Sequence, residues 1–306
     1  MIKVDYFLNL INTIGIHTLL GLSAYVLLLT GQLSLAQAGF FAVGAYTAAI
    51  LTVIFGWNIL PAIGLGMLST GSLAFLVGFP ALRVRGLMLV VATLAFGEFV
   101  RMFFYNFEWR VIREGVEVGP EGTMGFSEIR YFAEHGWTNW EVTSLIWVFV
   151  VIVMALIWWA DQTRSGAVLR AVGEDELAAG TVGIDVMVTK VAAMTVGGVI
   201  AGLAGGLYAH QITMLDHHAF TVLLATFAIA YPILGGVSSV FGTLVAVIFI
   251  QGLLVEGLRF LGDWRMLLFG ALIVVVMNVK PRGLFDSQML RWIKNALRLR
   301  FSRDLS

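Results

Sequence analysis

Apolar residues run along this chain in blocks close to twenty long, broken by short polar interruptions. Taking about 20 apolar residues as the length that crosses a bilayer, the pattern predicts helices near 8–29, 36–56, 59–79, 86–106, 142–160, 190–210, 221–234, 240–258 and 264–279. The run at 221–234 is short for a crossing and reads as a broken or re-entrant segment, so about 8–9 transmembrane helices are expected. The runs are continuous and do not alternate with period two, which argues against a barrel. Because lipid offers no water to backbone groups, the expected fold is an all-α integral membrane protein, a polytopic helical bundle.

Two polar stretches interrupt the pattern, at 108–141 and at 161–190. In the second, Val168, Leu169, Val172, Leu177, Ala178 and Ile184 give a patchy helical period. Glu174, Asp175 and Glu176 are expected to start a short helix, since acidic groups in a first turn complement the helix dipole. Leu177, Ala178 and Ala179 would form its body, and Gly180 and Gly183 would end it. On these grounds alone the stretch could equally be a solvated linker.

Composition sharpens the membrane reading. Of 306 residues, 59% are hydrophobic and 12% charged, far below the roughly 25% charged residues of soluble domains. The 34 glycines lie within apolar segments, which suits close helix packing and local helix breaks. Net charge is zero, so no nucleic-acid partner is implied, and the absence of cysteine excludes disulfides, thiolate metal sites and cysteine nucleophiles. Leu35-Ala36-Gln37-Ala38 mimics a signal cleavage site, but the preceding apolar region is too long for a signal core, and cleavage is not expected.

Orientation follows Lys and Arg near the helix ends. Arg83 and Arg85, and a tail holding Lys280, Arg282, Arg291, Lys294, Arg298, Arg300 and Arg303, place those segments in the cytoplasm. Counting crossings then puts 108–141 outside and 161–190 inside. The two stretches carry three Lys or Arg each, so parity alone separates them. In the tail, 284–306, Met289, Leu290, Ile293, Ala296 and Leu297 recur at helical spacing between basic residues, as in an amphipathic helix on the inner leaflet. Residues 1–283 form the transmembrane domain in this reading.

Polar groups inside spans are functional candidates by default. Glu98 and Arg101 share a helix face, and their mutual pairing would explain both. Asp216, His217 and His218 are adjacent and point apart, so no metal site is expected. His210 would share a face with His217 if its helix continued. Gly31-Gln32-Leu33-Ser34 and Gly235-Gly236-Val237-Ser238 share a Gly-x-aliphatic-Ser pattern, each after an apolar run. In transporters, glycine-interrupted segments at corresponding places in two halves mark unwound helices that line the solute path. Gln32, Ser34, Gln37, Glu98, Gly235, Gly236 and Ser238 are therefore the candidate pathway residues, although a match of four residues can arise by chance.

The run Gly173-Glu174-Asp175-Glu176-Leu177-Ala178-Ala179-Gly180-Thr181-Val182-Gly183-Ile184 resembles the cytoplasmic coupling motif of ABC importer permeases. With the stretch from Gly31-Gln32-Leu33-Ser34-Leu35 onward and Ile200-Ala201-Gly202-Leu203-Ala204-Gly205-Gly206-Leu207-Tyr208, it is similar to membrane subunits of branched-chain amino acid importers, of the M type. Gln37 stands where many relatives carry histidine, and Gly119-Pro120-Glu121-Gly122-Thr123-Met124-Gly125 departs from a double-glycine pattern. The resemblance implies a heterodimeric permease core with an H-type partner in the bacterial or archaeal inner membrane. It implies two ATP-binding cassette subunits that hold ATP and Mg, and a periplasmic or lipoprotein solute-binding protein. In that family Glu174, Asp175, Glu176, Leu177, Ala178, Ala179 and Gly183 would couple ATPase motion to the pathway. The chain has no glycine-rich loop ending in Gly-Lys-Ser or Gly-Lys-Thr, so it is expected to be a transport subunit without its own ATP site and not an enzyme. Leucine, isoleucine or valine is the expected solute, with urea, amides or other amino acids as the alternative. An ion-coupled carrier would show more buried carboxylates than Glu98.

Overall fold

The computed structural model of the chain describes residues 2–84, 86–113, 115–237, 239–257, 262 and 264–279. Ser238, Arg85 and the tail at 284–306, all named above, lie outside the described residues. Contacts divide the chain into two compact units, Met1–Ile229 and Ala230–Ser306.

The first unit is built on α1 (Ile2–Leu28), α2 (Gln37–Val53), α3 (Ile59–Ala81), α4 (Leu87–Asn106), α6 (Asn139–Gln162) and α9 (Val186–Ile212). Between α4 and α6 lie a hairpin, β1 (Val111–Arg113) and β2 (Val116–Val118), and a one-turn α5 (Tyr131–Glu134). Two short helices, α7 (Arg164–Glu174) and α8 (Glu176–Thr181), fill the second polar stretch. A helix that is apolar on all sides belongs in an interior. At about 25 Å, α2 is short for a crossing, and it packs against α3, α9 and α4. Its partner α9 also packs on α1 and α3.

Small residues set how closely these helices approach. A Cβ added at Gly44 would lie 2.4 Å from the Gly202 carbonyl oxygen, and one at Gly205 only 2.0 Å from that of Phe41. Backbone therefore meets backbone, the packing mode expected where lipid supplies no hydrophobic drive between helices. Around this seam Leu27, Phe40, Ala74, Met194 and Ala201 form one buried cluster.

The second unit takes in the end of α10 (Val222–Gly235), from Ala230 on, and leads through Gly236 to α11 (Val240–Val247), a π-helical continuation Ile248–Gly257, and α12 (Trp264–Val279). Within it Gln251 donates to the Tyr231 hydroxyl at 2.6 Å. A Cβ at Gly235 would lie 2.2 Å from the Gly242 carbonyl oxygen.

Seven described helices are long and apolar enough to cross a membrane, and two shorter apolar ones are Gln37–Val53 and Leu267–Val279. Together they coincide with the nine predicted runs. The run expected to be short gains the 3-10 turn His217–Ala219 and becomes a 19-residue apolar segment, His217–Gly235. The first helix begins at Ile2, six residues before its predicted start at 8. Its early polar residues are carried by helix propagation and not by hydrophobic periodicity.

Candidate functional site

The polar stretch after α6 is held by its own ion pairs. Arg170 donates from Nη2 to the Asp161 carbonyl oxygen at 2.7 Å and pairs with the Asp161 carboxylate at 2.9 Å. This fastens α7 back to the end of α6. The helix expected to begin with three acidic residues is instead two helices meeting at Asp175. Glu174 closes α7, and Asp175 takes an extended conformation, with φ −154. Its Oδ1 accepts from the N–H groups of Leu177 and Ala178 at 2.8 and 3.0 Å. Asp175 is thus the N-cap of α8, satisfying donors that a helix start leaves unpaired. Only Glu176 occupies the first turn.

Each remaining residue of the stretch has a distinct place. Ala179 is buried, whereas Leu177 and Val182 are 77% and 75% exposed, so α8 and the residue that caps its end show two large apolar side chains to their surroundings. The Glu176 carboxylate pairs with the ammonium of Lys190 at the start of α9. Gly183, at φ +85, turns the chain out of α8 while the Ile184 N–H bonds back to the Ala179 carbonyl oxygen.

The end of α7 meets the break between α1 and α2. Gly31 has φ +71, and a Cβ placed there would lie 3.1 Å from the Gly173 carbonyl oxygen. A Cβ at Gly173 would lie 2.3 Å from the Leu29 carbonyl oxygen and 3.1 Å from the Gly31 nitrogen. Two glycines distant in sequence let two backbones touch directly.

The same break gathers three of the candidate pathway residues. Gln32, Ser34 and Gln37 are 4%, 3% and 0% exposed. The Ser34 hydroxyl accepts from the Ala36 N–H at 3.2 Å, and the Leu35 N–H donates to Thr93 Oγ1 of α4 at 3.0 Å. Both amide groups of Gln32 and Gln37 are buried, and among the described residues neither atom of either has a hydrogen-bond partner. Buried polar atoms are nearly always paired, so these two side chains are costly as packing alone. Glu98 lies on α4 next to Gly97, which faces the Leu35 carbonyl. Its carboxylate accepts from Arg101 at 2.7 Å, so the pairing reading accounts for it.

The second glycine-serine segment has a comparable break in the other unit. Gly236 has φ +98 between α10 and α11, and Gly235 ends α10. Ser238 falls outside the described residues. Both segments carry a left-handed glycine after a helix, one at the first motif position and one at the second.

Asp216, His217 and His218, expected to point apart, instead bring one ligand atom each within 4.8 Å of one another, because the 3-10 turn His217–Ala219 curls the two histidine rings together at 4.0 Å. Asp216 Oδ1 also accepts from the His218 N–H at 2.9 Å and so caps the turn it begins. His210 does not share a helical face with His217, because α9 ends at Ile212 with Thr213 at φ +65. Its Nδ1–H donates to the Gly206 carbonyl at 2.7 Å, leaving Nε2 to accept from Thr52 at 2.9 Å.

Two residues were not singled out by sequence reasoning. Lys190, at a predicted span boundary, reads as an interfacial charge. Gly173 is one glycine among many.

Residues 6–277 match the family described as branched-chain amino acid transport system, permease component. The chain is 33% identical to the high-affinity branched-chain amino acid transport system permease protein LivM of Escherichia coli (strain K12). That alignment covers 88% of this chain and 67% of the relative. A probable branched-chain amino acid transport permease protein LivM of Methanocaldococcus jannaschii is 25% identical over 74% of this chain and 71% of its own length. The nucleoside ABC transporter permease protein NupC of Lactococcus lactis is 32% identical, over 42% of this chain and 40% of the relative. No solved structure matches.

Proposed function

Because the chain belongs to the permease-component family of branched-chain amino acid transport systems, we propose that it forms one membrane subunit of an importer for leucine, isoleucine or valine. A second, H-type permease completes the path, two ATPase subunits holding ATP and Mg dock on 161–190, and a solute-binding protein delivers to the opposite face. The subunit lies in the bacterial or archaeal inner membrane with its C-terminus in the cytoplasm.

The apposition of Gly31 and Gly173 carries this reading. ATPase closure bears on the exposed face of α8 at Leu177 and Ala178 and on Val182 at its end, and moves α7 with it. Gly173 contacts the break itself, so that motion reaches the segment holding Gln32 and Gln37 without passing through a flexible side chain. Their four amide hydrogen-bonding atoms then pair with the passing solute, replacing water that the solute sheds. Glu176, through Lys190, keeps α8 tied to α9 during the stroke.

The test is uptake by proteoliposomes holding the complete transporter and its binding protein. ATP-dependent accumulation of leucine, isoleucine or valine is expected. Uptake driven by an ion gradient without ATP would overturn the reading, and ATP-driven uptake of urea or an amide in place of these three would move the substrate to the alternative.

A further inference from the structure

Apart from the α1–α2 break, the first unit holds a second polar site. A cavity of about 310 Å³ opens where the end of α2 meets the loop between α4 and α6. Its walls include Thr52, Trp57, Arg113, Arg130, Tyr131 and Glu134. The base is firm, for Thr52 and Tyr131 are 5% and 9% exposed. Thr52 is fixed by His210, whose ring meets that of Tyr131 edge to face at 6.0 Å. Arg113 donates to the Val53 carbonyl oxygen at the last turn of α2. This holds a guanidinium at the end of a helix where cations are favoured. One such bond leaves Arg113 further donors.

The charges of the wall are of both signs. Arg130 pairs with Glu128, also in the wall, at 2.9 Å. Glu134 also lines the wall, and among the described residues its carboxylate enters no ion pair. Surface pairs such as Glu128 with Arg130 contribute little to stability, so loop anchoring alone gives a weak account of two guanidiniums and two carboxylates around one hollow. Small-molecule pockets measure roughly 300 to 1,000 Å³, so this one has room for a single small solute. An inorganic anion would meet the two carboxylates, and a simple cation the two guanidiniums. A molecule carrying both charges satisfies the wall.

We propose that this cavity receives a zwitterionic α-amino acid, its carboxylate on Arg113 and Arg130 and its ammonium on Glu134. The aliphatic side chain then lies against Trp57 and Val53. The cavity is an outer waiting site on the import route, and in this it rests on the transport reading above.

The probe is radiolabelled leucine, measured at equilibrium on the complete transporter in nanodiscs without binding protein. Glu134→Gln and Arg130→Gln are each expected to weaken binding about tenfold, the effect of one lost charge-assisted hydrogen bond, with Arg130→Lys intermediate. Leucinamide, lacking the carboxylate, and isocaproate, lacking the ammonium, should compete at least about tenfold less well than leucine. Wild-type leucine affinity in both Gln variants overturns the proposal. If those variants instead lose affinity only for the binding protein, the hollow is a protein-docking surface. Uptake separates the two readings: a wild-type transporter that imports leucine while the variants bind it unchanged sinks the cavity alone. A wild type that imports no branched-chain amino acid sinks both.

Discussion

Lys190 is 5% exposed, and its ammonium meets the carboxylate of Glu176. Removing one partner of a fully buried pair costs about 3 to 5 kcal/mol. The Glu176 side chain is 31% exposed, so solvent screens the interaction and the cost is at the lower end or below. Glu176→Gln is expected to lower the thermal midpoint of the detergent-solubilised permease and to reduce its copurification with ATPase subunits. Adding Lys190→Met removes the stranded charge and should recover part of the midpoint, because an apolar side chain of similar length at 190 carries no buried charge that needs a partner. If Lys190→Met alone is as damaging as Glu176→Gln and the double variant is worse than either, the pair is not what ties α8 to α9. The sequence marks Glu176 as a candidate coupling residue and says nothing of an ion pair. Its partner is not legible there, since a lysine at the edge of an apolar run reads as an interfacial anchor.

Asp175 decides whether α8 exists as a separate element. Its carboxylate oxygen takes two backbone donors, and losing such a cap costs about 1 kcal/mol. A helix of six residues has little cooperativity to offset that loss. Asp175→Ala should therefore fray α8 and lower the amount of solute imported per ATP hydrolysed, while Asp175→Asn, which can still cap, stays near wild type. Equal coupling in both variants, measured by parallel uptake and phosphate release, would contradict the capping role. The long helices were readable because about twenty continuous apolar residues admit few other structures in lipid. The split at Asp175 was not, because acidic residues in a row fit a first turn and an N-cap equally well. The apolar segment before Gly235 was underestimated for another reason: His217 and His218 break the hydropathy pattern although the 3-10 turn they form continues into the span.

At the scale of the whole subunit, α9 organises the first unit, and its glycines set the spacing to α2 and α3. Gly205→Ala would place a methyl group 2.0 Å from the Phe41 carbonyl oxygen, which only a backbone shift can relieve. Overpacking of this kind costs about 1 to 3 kcal/mol or more. The variant is expected to give little monodisperse permease by size-exclusion chromatography. Gly64→Ala on α3, where a Cβ meets nothing within 4 Å, should be neutral or stabilising by about 0.5 to 1 kcal/mol, and equal yields from both would refute the seam. That glycines pack these helices was legible from their placement in apolar runs. Which of them touch was not, since the contacts join residues remote in sequence. The touch between Gly31 and Gly173 also bears on how such subunits can diverge. On the docking role proposed above, the exposed face of α8 would have room to drift with its ATPase partner, much as the teeth of a key are recut. The rear of the segment has none, because a single methyl group at Gly173 would jam 2.3 Å from the Leu29 carbonyl oxygen. On the coupling role proposed above, partner choice and power transmission would reside on opposite sides of one short segment, free to change on one side and held fixed on the other.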